Sequence, residues 1–193
     1  MMLRCFVCFA WAISAFGQPP KLKITLKNDT QAEQAKRTQL ERIAAQYNLK
    51  KFTLTKDILI EQGVMNHSKP VLTLNPGFPF NDDRALAVYI HEQGHWLLGE
   101  HQNEMRGLYQ DLTRTFPGIP ANYPEGSGSI QDSYFHLAVI GLEWNSLEEV
   151  VGEQRARTVL EFLSTQWYTV LYKTVLENRQ RVNDILQRHG LRW

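Results

Sequence analysis

Two histidines and a glutamate lie within five consecutive residues of the chain, His91-Glu92-Gln93-Gly94-His95. A helix over this segment brings His91 and His95 to one face, a turn apart, where both imidazoles can bind one tetrahedral Zn²⁺. Glu92 is rotated by about 100° from His91, so its carboxylate lies beside the metal rather than on it. There it can accept a proton from a water molecule that the metal activates. The segment therefore predicts a zinc site with Glu92 as general base.

The five residues follow the H-E-x-x-H pattern of zinc peptidases, and their surroundings agree with it. They lie in an apolar stretch that predicts a helix, and Val71-Leu72-Thr73-Leu74 predicts a strand shortly before it. The segment 71–98 resembles the strand and active-site helix of the zincin metallopeptidases, and its His91 to Trp96 portion is similar to small bacterial proteins with an H-E-Q-x-H-W signature. The resemblance implies that Glu92 is the general base, and that the strand lines the cleft and pairs with an extended substrate.

A zinc site of this kind needs a third protein ligand, and the segment from Ser133 to Trp144 offers two candidates. This segment is apolar on every side, which predicts a buried helix, and an ionised carboxylate there is costly unless it is paired or metal-bound. Glu143 is therefore the favoured ligand, in an arrangement similar to the gluzincins, whose third ligand is a Glu on a later helix. His136, two turns earlier on the same face, is then expected to reach the substrate oxyanion. In the alternative assignment His136 is the ligand and Glu143 supports a histidine.

Other candidate ligands fit less well. His101 lies ten positions after the first histidine of the motif, where metzincins place their third ligand, but Leu98 stands where their glycine belongs. Met105, the only later methionine, is too near to form their Met-turn. Glu149 and Glu153 have the spacing of an acid pair, but they lie where the helix turns polar. We expect these residues to be solvated.

The elements that must position these residues follow from caps and apolar periodicity. Six helices are predicted, over about 31–47, 82–98, 103–115, 133–151, 153–164 and 166–188. Two strand-like runs are predicted, from Phe52 to Glu61 and from Val71 to Asn75. Residues 117–130 are rich in proline and glycine and predict a loop, either a linker or a rim of the cleft. The fold class is α+β, mostly helical, with a small N-terminal β-sheet, a zincin-like active-site helix and a C-terminal helical bundle.

The overall composition excludes several classes of protein. The hydrophobic content of 43% and the charged content of 21% are typical of one soluble globular domain. The formal net charge is +1, with 21 basic and 20 acidic side chains, so no excess of positive charge is available to neutralise phosphates. We therefore expect neither a nucleic-acid partner nor a stable association with membranes.

Residues 1–17 predict a secretory signal peptide. A basic start is followed by an apolar run that is too short to span a bilayer, and a small-x-small site predicts cleavage near Gly17. Cleavage would remove both cysteines, Cys5 and Cys8. Residues 18–193 are then a single exported domain without disulfides, periplasmic or extracellular, whose stability must come from its core, with a metal as an additional source.

Together these observations predict an exported zinc-dependent hydrolase, and first of all a metallopeptidase acting on a peptide or protein substrate. In this interpretation His91, His95 and Glu143 hold Zn²⁺, Glu92 activates water and His136 stabilises the oxyanion. Two alternatives stay open. A non-catalytic zinc-binding or scaffold protein would lack an open coordination position, and a zinc amidase would use the same machinery on a non-peptide substrate.

Overall fold

The computed structural model describes residues 20–77 and 81–193. The predicted signal peptide, residues 1–17, lies outside the described residues, and its assignment stays a prediction. Within the described ranges, none of the helices combines the length and apolar content that a membrane span requires.

Helices make up most of the described chain. The strands are β1 (Lys23–Leu26), β2 (Asp57–Ile60) and β3 (Leu72–Leu74). The helices are α1 (Gln31–Gln46), α2 (Asp82–Glu100), α3 (Met105–Thr115), α4 (Ile130–Val151), α5 (Glu153–Leu163) and α6 (Thr169–Arg188). This architecture confirms the predicted α+β class, mostly helical with a small sheet near its start.

The three strands form a parallel sheet in the order β1-β2-β3. Ile58 at the centre pairs with Ile24 on one side and Leu72 on the other. The strand-like run predicted from Phe52 was too long, because Lys50–Phe52 form a 3₁₀ turn instead. An apolar residue is still needed at position 52, because the Phe52 ring is buried and packs edge-on against Trp193 at a centroid distance of 5.7 Å.

Side-chain caps define where three of the helices begin, with Thr30 before α1, Asn81 before α2 and Ser129 before α4. Thr30 caps α1 with a capping box, in which its hydroxyl accepts from the Glu33 backbone N–H and the Glu33 carboxylate accepts from the Thr30 backbone N–H. α4 begins at Ile130, earlier than predicted, because Ser129 is its N-cap and accepts from the Asp132 backbone N–H at 3.1 Å.

Two glycines allow α4 to approach its neighbours closely. A Cβ atom at Gly94 of α2 would lie 3.3 Å from Val139 Cγ1 of α4. A Cβ atom at Gly141 of α4 would lie 2.7 Å from Val182 Cγ1 of α6, a distance that real Cβ contacts do not reach. α4 therefore lies in the middle of the helical layer, in direct contact with α2 on one side and α6 on another.

Candidate metal centre

Three histidines from two helices come together between α2 and α4. His91 and His95 on α2 and His136 on α4 each offer one ring nitrogen, and these three atoms all lie within 4.8 Å of one another. The ring centroids are 5.1 Å apart for the two α2 histidines, and 5.5 and 4.7 Å from His136. These residues, the histidine triad, are close enough to hold one metal ion, and three imidazoles are a donor set that Zn²⁺ accepts.

Hydrogen bonds determine which nitrogen of two rings is available. His91 Nδ1 lies 2.9 Å from Glu143 Oε2, and His136 Nδ1 lies 2.9 Å from the Asp132 carbonyl oxygen. Because both partners are acceptors, each Nδ1 is the donor, which leaves Nε2 of each ring as the atom with a free lone pair. Metal-binding histidines typically donate a hydrogen bond from the ring nitrogen that does not bind the metal, and this bond fixes the tautomer.

Burial keeps two of the three imidazoles neutral. Desolvation lowers the pKa of His95 well below its usual value and lowers the pKa of His136 to about 3, and the neighbouring His91 adds to both shifts. Burial is the largest single effect on His91 and would lower its pKa, but the hydrogen bond to Glu143 and the charges of Glu143 and Glu92 together outweigh it, and the pKa is raised. Neutral imidazole is the form that binds metals, so His95 and His136 are ready to coordinate at neutral pH.

Glu92 lies next to the triad and is not part of it. Its side chain is 6% exposed. Burial, with a smaller contribution from Glu143, raises the pKa of Glu92 to about 7, while His91 opposes the shift. A carboxylate with a pKa near the operating pH can both accept and release a proton, which is the property that a general base requires.

Glu143 lies behind His91, outside the triad. Its Oε2 accepts hydrogen bonds from His91 Nδ1 at 2.9 Å and from the Tyr172 hydroxyl at 3.0 Å. Its Oε1 is buried without a hydrogen-bond partner among the described residues. Seven residues of helix separate Glu143 from His136, about 10 Å along the axis, so the two side chains do not meet at one point. The structure thus brings His136 into the group where the sequence analysis favoured Glu143, and it gives Glu143 the supporting position of the alternative assignment.

His101 lies away from the triad at the end of α2. Its Nδ1 donates to the Leu97 carbonyl oxygen at 2.9 Å, one turn earlier on the same helix. It is not a member of the group of ligand atoms that the triad forms.

A cavity of about 130 Å³ borders His91 and Glu92, and a second of about 240 Å³ borders His95 and His136. The first cavity is walled by the segment 64–66, by α2 and by the region around Tyr168. The second is bordered by Lys69, whose charge contributes to the low pKa of His95. The triad and Glu92 are therefore accessible from two sides.

The strand β3 does not offer its edge to a substrate, in contrast to what the resemblance implied. Its Thr73 exchanges two backbone hydrogen bonds with His67, at 3.1 and 2.8 Å, in an antiparallel bridge. The indole N–H of Trp96 donates to the Ser68 carbonyl at 3.0 Å and ties the same segment to α2. The chain's own residues near His67 therefore cover the edge of β3.

The loop 117–130 lies beside the triad rather than acting as a plain linker. The carbonyls of Pro124 and Glu125 accept from the N–H groups of Thr169 and Val170, which begin α6. Tyr168, directly before these two residues, adopts a left-handed conformation with φ of 51°. Its ring lies 4.6 Å from His136 and 6.2 Å from His91. Tyr168 is thus a neighbour of the histidine triad that no local sequence pattern identifies as one.

Comparison of the chain with protein-family models, with curated proteins and with solved structures found no match. The function is therefore inferred from the geometry and chemistry of the described residues.

Proposed function

We propose that the protein is a zinc-dependent hydrolase of the metallopeptidase type. The observation that carries this proposal is the position of Glu92, a buried carboxylate that lies beside three clustered imidazoles and borders a cavity. His91, His95 and His136 would hold the ion. A three-histidine set leaves the fourth tetrahedral position for water or substrate, which is the arrangement of catalytic zinc sites.

The bound metal would supply Lewis-acid chemistry, polarising the substrate carbonyl and lowering the pKa of a water molecule. Glu92 accepts the proton that this water loses and delivers it to the leaving nitrogen. Glu143 takes the hydrogen bond of His91 Nδ1 and so keeps the opposite nitrogen directed at the metal position. Tyr172 holds Glu143 by donating to the same carboxylate oxygen.

A purely structural metal site is the less suitable interpretation. Structural zinc sites are usually closed by four protein ligands, whereas the triad has three members among the described residues. A structural site also has no use for a buried base, and burying the carboxylate of Glu92 without a dedicated partner is costly. Both features agree with catalysis.

The test combines metal analysis with a peptide-library cleavage assay on the purified protein. The wild type is expected to contain one zinc ion per chain and to cleave peptides. Glu92→Gln should keep the zinc and lose turnover by roughly 10²- to 10⁴-fold, because an amide cannot accept the proton. Glu100→Gln, an exposed change at the end of the same helix, is the matched control and should behave as wild type. A zinc-loaded wild type without hydrolytic activity, or a fully active Glu92→Gln variant, contradicts the proposal.

A further inference from the structure

The cavity of about 130 Å³ beside Glu92 has a chemical character of its own. Apart from His91 and Glu92, no side chain in its wall carries a charge, among the residues that the structure describes. Apolar wall comes from three separate elements, with Val64 before β3, Val88 on α2 and Leu163 at the end of α5. A group that enters this cavity therefore meets mostly hydrocarbon.

The two asparagine side chains in the wall, Asn66 and Asn75, form hydrogen bonds with the protein's own backbone. Asn66 Oδ1 accepts from the Asn75 backbone N–H at 2.7 Å. Asn75 Nδ2 donates to the Val64 carbonyl at 2.6 Å, and its Oδ1 accepts from the Gly77 N–H at 2.9 Å. These bonds hold the wall in place and leave the two asparagines few free donors or acceptors for a ligand.

Two large apolar side chains that line this cavity are also exposed to solvent. Met65 is 55% exposed and Trp167 is 40% exposed, and both line it. Clustered exposed hydrophobic residues beside a concave site mark a surface that a ligand covers.

The size of the cavity limits what it can accept. An apolar cavity of about 150 Å³ is large enough to bind benzene. The present volume of about 130 Å³ is close to this figure, and the cavity opens to solvent beside Met65 and Trp167, so it can take the apolar part of a leucine, methionine or phenylalanine side chain.

We propose that this cavity binds the bulky apolar side chain of a substrate residue adjacent to the cleaved bond, and that the substrates are peptides with Leu, Met or Phe at that position. This inference rests on the proposed function, because it uses Glu92 as the reference point for the cleaved bond. The cavity on the other side of the triad, bordered by Lys69, is more polar, so the preference applies to one side of the cleaved bond only.

The first experiment maps cleavage of a peptide library by mass spectrometry. The wild type should prefer Leu, Met or Phe over Gly at one fixed position, by roughly 10- to 200-fold in kcat/KM. Val88→Phe fills the cavity and should shift the preference toward Gly and Ala. Val64→Phe, in an irregular segment, gives a second route to the same result if Val88→Phe does not fold. Val71→Phe, an exposed valine outside this cavity, is the matched control and should keep the wild-type preference.

The second experiment measures binding without turnover. N-acetyl-leucine amide is titrated into the Glu92→Gln protein, and the indole N–H signal of Trp167, assigned through Trp167→Phe, is followed by NMR. The signal should shift with this amide, remain unchanged with N-acetyl-glycine amide, and lose its response when Val88→Phe is added. Glu92-dependent cleavage with no apolar preference, or the absence of any shift, overturns the inference. Binding of the leucine amide in a protein that hydrolyses no peptide would overturn the proposed function and leave the cavity assignment standing.

Discussion

The roles of His136 and Glu143 follow from their spacing on α4. The two residues lie on one face of α4, two turns apart, so they meet α2 at different levels. His136 lies level with the two α2 histidines, and Glu143 reaches only the far nitrogen of His91. His136 therefore belongs to the histidine triad, whereas Glu143 lies behind His91.

This assignment predicts that His136→Ala removes the metal. With two imidazoles left, stoichiometric zinc should be lost in metal analysis. His101→Ala, which changes a histidine outside the triad, should keep a full complement. Full zinc occupancy in His136→Ala would show that the triad is not the ligand set.

Glu143→Gln should weaken zinc binding by roughly 10- to 100-fold without abolishing it, as expected for the partner of a ligand. Tyr172→Phe removes one donor to the same carboxylate and should weaken binding by up to about tenfold. The matched control is Tyr134→Phe, since the Tyr134 hydroxyl is also buried but donates to the Phe116 carbonyl. Competition with a chromophoric chelator measures all three affinities. An empty site in Glu143→Gln would instead support the glutamate as a direct ligand.

The ionisation of Glu92 predicts how the stability of the chelator-treated protein depends on pH. Burial raises its pKa from 4.5 to about 7, so folding favours the protonated carboxyl. The resulting stabilisation is fully present below pH 4.5 and is lost as the pH rises through about 7, and it amounts to at most about 3 kcal/mol. Urea unfolding at pH 5 and pH 8 should therefore show a smaller loss of stability in Glu92→Gln than in Glu100→Gln. Equal losses in the two variants would mean that Glu92 ionises in the folded protein as it does in water.

The close packing of helices α2, α4 and α6 brings the histidine triad and its supporting residues together. α2 carries two members of the triad and α4 the third, while α6 supplies Tyr172 behind them. Gly94 and Gly141 have no Cβ atom, which allows α4 to lie close to α2 and α6. A small shift of α4 would separate His136 from the other two histidines.

Gly141→Ala should destabilise the protein even though alanine favours helices. The higher helix propensity of alanine is worth about 1 kcal/mol, but its Cβ would lie 2.7 Å from Val182 Cγ1, and overpacking of this kind costs about 1–3 kcal/mol. Denaturant unfolding should show a net loss of stability and metal analysis a weaker zinc site, both partly restored by adding Val182→Ala. Gly99→Ala is the control, because its Cβ meets only the flexible end of Lys69. A Gly141→Ala protein as stable as Gly99→Ala would disprove the packing argument.

Within the described part of the chain, one extended core joins the sheet to the helices, including α2 and α4, which carry the histidine triad. Binding a metal between α2 and α4 should therefore stabilise the entire fold and not only the site. Zinc at about 100 times its Kd would add roughly 2.7 kcal/mol, which corresponds to a rise in Tm of roughly 5–10 °C for a chain of this size.

Removal of the metal is the corresponding prediction. Treatment with a chelator should lower the Tm of the wild type, and addition of zinc should restore it, as measured by scanning calorimetry. The His91→Ala protein, which lacks one member of the triad, should show no response to either treatment. An unchanged wild-type Tm would mean that zinc does not bind the folded protein with useful affinity.

The sequence by itself determined the features that depend on neighbours a few residues apart. His91 and His95 share a face because any helix places positions four apart together. Thr30 and Asn81 mark helix starts because each accepts from a backbone N–H three residues later. The fold class followed from the same local patterns.

Which residue of α4 joins His91 and His95 depends on how the helices pack. Glu143 and His136 are both compatible with a buried helix, and the choice depends on the level at which α4 crosses α2, which no local pattern encodes. The cover that His67 places on β3 and the position of Tyr168 also depend on segments distant in sequence. The physical reason is the same in each case. A cap or a helix face is set by hydrogen bonds within one turn, whereas these contacts are set by how separate elements pack.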